Sequence, residues 1–191
     1  KKKTREIYAG QGYKKGSTWT VKGSLKKHFG SYYSQLPKRV HTLNHHMSHV
    51  ASGFQTSPFQ DATVVVIDAI GEWDTISIWS ATYNKFPMMG AYGEANYVKL
   101  WSQKYPHSIG LYYSAMTGRL GLRPQDEEYI LMGMAGHGKN ATSVEHTIKN
   151  SLVKDMADIK FTQNLHTGVD KEFLKDTDEM DIAASTQAVV E

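Results

Sequence analysis

The 191-residue chain contains no cysteine. Disulfides, zinc–thiolate clusters and thiol nucleophiles are therefore excluded, and any metal must be held by imidazole or oxygen. No apolar run approaches the length of a membrane span, and nothing reads as a signal peptide, so the expectation is a cytoplasmic protein with no membrane partner. Gly-x-Ser-x-Gly, Walker and Gly-x-Gly-x-x-Gly motifs are missing as well, which disfavours serine-hydrolase and P-loop readings. Neither sign of charge dominates: the net charge is +3, with the basic residues bunched early as Lys1-Lys2-Lys3, Arg5, Lys14-Lys15, Lys22 and Lys26-Lys27. Such a run reads first as a solvated face and second as a phosphate footprint. With 40% hydrophobic and 21% charged residues, the chain can bury a core of its own, as one domain or one large piece of one.

Lys1 to about Thr20 is polar, Gly-bearing and aperiodic, and reads as a loop or an incomplete entry into a fold. Gly23 to Phe29 suggests a short basic helix and Arg39 to Leu43 a strand. From His45 the apolar positions Met47, Val50, Ala51 and Phe54 recur at helical spacing until Ser57-Pro58 stops them. Ala62 to Asp68 and Thr75 to Thr82 are apolar and β-branched, predicting a hairpin whose first, buried strand ends on Asp68. Pro87 to Leu100 holds another strand or two. Ser108 is placed to cap a helix with Leu111, Tyr112, Ala115, Met116 and Leu120 on one face, ended by Gly121. Gln125 to Glu128 gives a second helix an acidic start, with its end at Met132 and a Gly133 to Gly138 turn after it. Asn140 to Ile159 and Asp178 to Val190 also read as helical. Both ends of the chain are expected to be cut, since it opens mid-fold and Glu191 falls inside a helix.

The stretch Asn44-His45-His46-Met47-Ser48-His49 carries the chemistry. On a helix, His45 and His49 stand one turn apart on one face, and Asp68 adds the charge that holds a divalent cation. Three such ligands leave coordination positions open for a substrate. Spacing alone also allows His46 with His49, or three histidines that merely bond locally. His41, His107 and His137 lie in loops and are left out of the site. The segment Asp68-Ala69-Ile70-Gly71-Glu72 has the form of a strand end and Gly turn that offers amides to a phosphate, though a plain hairpin explains it equally. Trp73, Trp79 and Trp101 read as core aromatics.

Five blocks together carry a resemblance. They are Asn44 to Ser52, Ser57-Pro58-Phe59, Asp68 to Trp73, Pro106 to Ala115 and Glu128 to Ala135. In order and spacing they resemble the NodU/CmcH carbamoyltransferases, over about Val40 to Val190. The resemblance implies an α/β fold of the actin- and Hsp70-like ATPase (ribonuclease H-like) type, as one lobe of a Kae1-like domain incomplete at both ends. Residues 1–38 would be an entry segment, 39–138 the metal and phosphate-site lobe and 139–191 a helical connection.

It further implies an O-carbamoyltransferase: carbamoyl phosphate and ATP give carbamoyladenylate in a YrdC-like domain, and the carbamoyl group then passes to a hydroxyl of a small-molecule or sugar acceptor. By the matching motif His45, His49 and Asp68 would bind Fe(II) or another divalent metal, His46 would face away, and the Gly71-Glu72 turn would lie near the nucleotide phosphate. Ala69 departs from the family's glycine. The family's N-terminal Asp/His strand, its C-terminal Gly-rich nucleotide loop and the YrdC-like domain have no counterpart in these residues, so the fragment is not expected to complete the reaction alone. A Kae1-like tRNA-modifying protein, with the basic start as its RNA footprint, and a non-catalytic module that keeps the fold are the rival readings. A homodimer remains open.

Overall fold

The computed structural model describes residues 21–35, 43–84, 94–139 and 142–191. The chain divides into two compact units, 1–42 and 43–191. The first holds the basic helix α1 (Val21–Phe29), followed by a 3-10 helix over Gly30–Gln35. The loop read into the first twenty residues, and the strand read from Arg39 except for Leu43, lie outside the described residues. Leu43 itself is in neither helix nor strand.

In the second unit α2 (His45–Gln55) opens where the Asn44 side chain accepts the Met47 amide at 3.1 Å. Its buried stripe is His46, Val50 and Phe54. Met47 and Ala51, apolar at the same helical spacing, are only half-buried, and a histidine takes the top of the stripe instead.

Next come β1 (Asp61–Gly71), β2 (Asp74–Tyr83) and β3 (Ala95–Lys104), an antiparallel sheet with β2 in the middle. Period-two alternation turns Ala62, Val64 and Val66 of β1, with Ala81, Trp79 and Ser77 opposite them, toward α2. The other face carries Val65 and Ile67, which are 54% and 60% exposed. So β1 is a half-exposed edge strand and not the buried strand expected: an apolar run reads the same whether one face or both are covered. The hairpin turn is also tighter than predicted. Gly71 pairs with Asp74, leaving Glu72 (φ +62°) and Trp73 as the turn. Between the pairs Ile67–Ile76 and Gly71–Asp74, the residues Asp68, Ala69 and Ile70 stand opposite Thr75 alone. Asp68 thus opens a bulge inside β1, where the sequence suggested the strand's end.

The remainder is mainly helical: α3 (Ile109–Arg119), α4 (Glu128–Ala135), α5 (Thr142–Leu152) and α6 (Glu179–Val190). Ser108 caps α3 as predicted, and Leu111, Tyr112, Ala115, Met116 and Leu120 are all buried. Gly121 (φ +76°) follows its end. α4 runs through Gly133, past the expected stop at Met132. Gly138 abuts the Met180 backbone and the Lys139 amide donates to Asp181 at 2.7 Å, so the turn after α4 is used in docking on α6. α5 ends at Leu152, not Ile159. There Val153–Asp155 (β4) pairs with Lys160–Phe161 (β5), because the Asp155 carboxylate accepts the amides of Ala157 and Asp158 and folds the chain back. Among the described residues no helix is long and apolar enough to cross a membrane.

Candidate metal centre

Alternation along β1 puts Asp68 on the same side as Val66, toward α2, while His45 and His49 flank the helix's buried stripe at the edge of that contact. The three side chains meet. Asp68 Oδ2 lies 2.7 Å from His45 Nε2 and 3.6 Å from His49 Nε2, and the two imidazole nitrogens are 3.0 Å apart. Donors bound at about 2.0–2.2 Å to one ion stand about 3 to 3.5 Å apart for octahedral or tetrahedral angles, so the spacings fit a shared cation. The donor chemistry fits too: three atoms with lone pairs converge, and a single proton can bridge only two of them. Among the described residues this is the group of histidine and carboxylate side chains able to hold a metal, and it is open to solvent, with His45 and His49 exposed.

The carboxylate is oriented from behind. Its other oxygen accepts the Ala69 amide at 2.7 Å, and the Asp68 carbonyl lies 3.3 Å from the Ser108 hydroxyl at the head of α3. Gly110 makes that approach feasible: a Cβ there would lie 2.9 Å from Ala69 Cα. The methyl of Ala69 thus faces α3 at Gly110. Asp68, Ala69 and Ile70 with Gly110, Tyr113 and Ser114 line an open cleft of about 690 Å³ beside the site. In that cleft burial alone would raise the Glu128 carboxyl, but bonds from the Ser114 hydroxyl and the Gln125 amide outweigh it and hold it below its usual range.

Of the two residues expected beside a phosphate, Glu72 takes the Asn44 amide at 3.4 Å, tying the hairpin turn to the α2 cap. Gly71 lies against imidazole: a Cβ there would sit 2.9 Å from His45 Cδ2 and 2.5 Å from His46 Nε2. His46 does not join the triad. It is fully buried, with Nδ1 2.6 Å from the Ser77 hydroxyl. Burial pushes its pKa down; Asp74 and Asp68 pull the other way without winning. Sequence reasoning missed Ser77, Ser108 and Gly110 as supports; a serine on the inward face of β2, between apolar neighbours, was the available signal for the first. Of the histidines set aside, His41 is outside the described residues, His107 Nδ1 accepts the Phe161 amide at 3.2 Å, and His137 is exposed. Trp79 is buried, whereas Trp73 and Trp101 are about two-fifths exposed and are not the core aromatics expected.

A family model described as carbamoyltransferase N-terminus matches residues 13–191. The chain belongs to that family. The uncharacterised protein sll1178 of Synechocystis is 35% identical, over 77% of this chain and 25% of its own length. The uncharacterised protein MJ1058 of Methanocaldococcus jannaschii is 27% identical, over 81% of this chain and 26% of its own. The nodulation protein NolNO of Sinorhizobium fredii is 26% identical, over 63% and 16%. The chain therefore spans about a quarter or less of the curated relatives it matches. Its mixed α/β build with antiparallel sheets is consistent with a carbamoyltransferase N-terminal domain.

Proposed function

We propose that this chain is the metal-bearing part of an O-carbamoyltransferase that moves a carbamoyl group from carbamoyladenylate, made from carbamoyl phosphate and ATP, to a hydroxyl of a small-molecule or sugar acceptor. The observation that carries the reading is the convergence of His45, His49 and Asp68 on one point, in a chain of the carbamoyltransferase family. In the transfer, the acceptor hydroxyl oxygen forms a bond to the carbamoyl carbon and gives up its proton to solvent, while the bond from that carbon to the phosphate oxygen breaks and AMP leaves. A bound divalent cation, Fe(II) in this reading, supplies charge neutralisation at the adenylate phosphate. His45 and His49 act as neutral imidazole donors, Asp68 contributes the negative charge, and the Ala69 amide fixes the carboxylate's direction. The cleft beside Asp68 is the proposed approach for the acceptor. The same reading takes the domain as an actin- and Hsp70-like, Kae1-like lobe working with a YrdC-like domain in the cytoplasm, with Gly71 and Glu72 on the nucleotide side.

The test uses the full-length protein. Titration with Fe(II) or Co(II) is expected to show one tight site, weakened at least tenfold by His45→Ala, His49→Ala or Asp68→Ala, and the same variants are expected to lose carbamoyl transfer. Metal binding indifferent to all three substitutions would overturn the assignment.

A further inference from the structure

Between the two outward-facing histidines sits one that points inward, and its surroundings are not those of an ordinary core residue. His46 Nδ1 meets the Ser77 hydroxyl at 2.6 Å, and Ser77 also accepts the Trp79 indole N–H at 2.7 Å. Indole nitrogen can only donate, so it occupies one lone pair of Ser77 and leaves the hydroxyl's proton and its second lone pair for bonding to His46. The opposite ring nitrogen, Nε2, is buried with no partner and lies where a Gly71 side chain would be. An orphaned polar atom in a core calls for an explanation. Leucine would fill the same space without one, so packing alone does not ask for imidazole here.

We propose that His46, Ser77 and Gly71 are positioning residues that preset His45 and His49 against Asp68; the proposal rests on the metal reading above. Geometry supplies the reason. α2 has three buried residues, and His46 is the one in its first turn, where the ligands begin. A side-chain tip about 5–6 Å from a helix axis moves about 1 Å for each 10° of helix rotation. Metal–ligand distances tolerate about 0.2 Å. The apolar contacts of Val50 and Phe54 lie one and two turns further on and slide easily, whereas the hydrogen bond to Ser77 fixes the rotation at the ligand turn. Gly71 sets the other side: its missing side chain is the slot into which the rings of both His45 and His46 fit, so the hairpin turn and the metal-binding imidazole share one contact.

The experiment is a Co(II) titration of the full-length protein, read by visible absorption, on wild type, Ser77→Ala, His46→Leu and Gly71→Ala. Each variant is expected to bind Co(II) about 10–100-fold more weakly, with an altered absorption band, while far-ultraviolet circular dichroism stays that of wild type. The band reports the ligand field, which a residue serving only the fold would leave unchanged. If Ser77→Ala and His46→Leu bind with wild-type affinity and spectrum while His45→Ala does not, the positioning proposal is overturned and the metal site stands. If wild type shows no Co(II) band that His45→Ala removes, both fall. Should His46→Leu fail to fold, Ser77→Ala, which deletes a single hydroxyl, decides.

Discussion

Among the described residues of 43–191, two clusters of buried apolar side chains differ in kind. The one built on α3 to α6 gathers thirteen buried residues, among them Leu111, Tyr112, Leu131, Ile148 and Ile182. The one that fastens α2 to the sheet has five: Val50, Phe54, Val66, Trp79 and Ala81. The smaller cluster is supplemented by buried polar links, namely His46 to Ser77 and an ion pair of Lys99 with the buried Asp74 at 2.5 Å, the ammonium lying over the Trp79 ring. All three donors of the proposed metal site come from the α2–sheet side, and the helical cluster reaches them through Ser108 and Gly110. A thin core buries little area, but directional bonds fix angles that apolar contacts leave loose. The difference suggests a division of labour: the helices supply mass, the sheet and α2 supply geometry.

Four measurements bear on that contrast. Phe54→Ala removes the largest fully buried member of the small cluster and is expected to cost about 3–5 kcal/mol. Hydrogen exchange should then lose protection in α2, β1 and β2 while α3 to α6 keep theirs. Equal loss throughout would show one cooperative unit and end the distinction. Leu131→Ala, in the large cluster, is expected to cost about 2–5 kcal/mol in thermal or denaturant unfolding, yet to leave Co(II) affinity at low temperature within about twofold of wild type. Ser108→Ala sits at the junction. Loss of the α3 cap should cost about 1 kcal/mol, and loss of the contact with the Asp68 carbonyl should also weaken Co(II) binding several-fold, making it the mildest change felt on both sides.

The smallest effects are in pH. His46 has its pKa lowered from 6.5 by burial, so the folded protein resists a proton that the unfolded chain accepts. Its contribution is complete above pH 6.5 and is lost as pH falls through the folded-state value. Tyr112 is raised from 10.0, again by burial, so its contribution is complete below pH 10 and is lost as pH rises above it. Exchange measured across pH should accordingly soften the α2–sheet side first in acid and the helical side first in alkali; the reverse order would contradict the assignment of these two groups.

Much of this was legible in the residues. Ser108 before a helical stripe announces a helix start by a side-chain-to-amide bond, and that bond occurs; Asn44 and Asp178 cap α2 and α6 in the same way. Helical period put His45 and His49 on one face; that Asp68 and not His46 would join them was implied by the resemblance. What escaped was set by partners distant in sequence. Whether Val65 and Ile67 are covered depends on what faces them, which alternation does not encode. The burial of His46 depends on Ser77, 31 residues away. The end of α5 turned on Asp155 bonding two amides locally, a preference stronger than the helical pattern running through it.

The bulge at Asp68 has one more consequence. Three residues stand there against one, an excess of two, and an even excess keeps side-chain parity on either side of it. Deleting both extra residues would straighten the strand and leave Ser77, Trp79 and Ala81 turned inward. Deleting one would leave two residues against Thr75, a one-residue bulge like the one β3 already carries, where Leu100 is extra between the pairs Ile78–Trp101 and Trp79–Lys99. Length changes between Asp68 and Gly71 should therefore spare the small core and act instead on where the Asp68 carboxylate points.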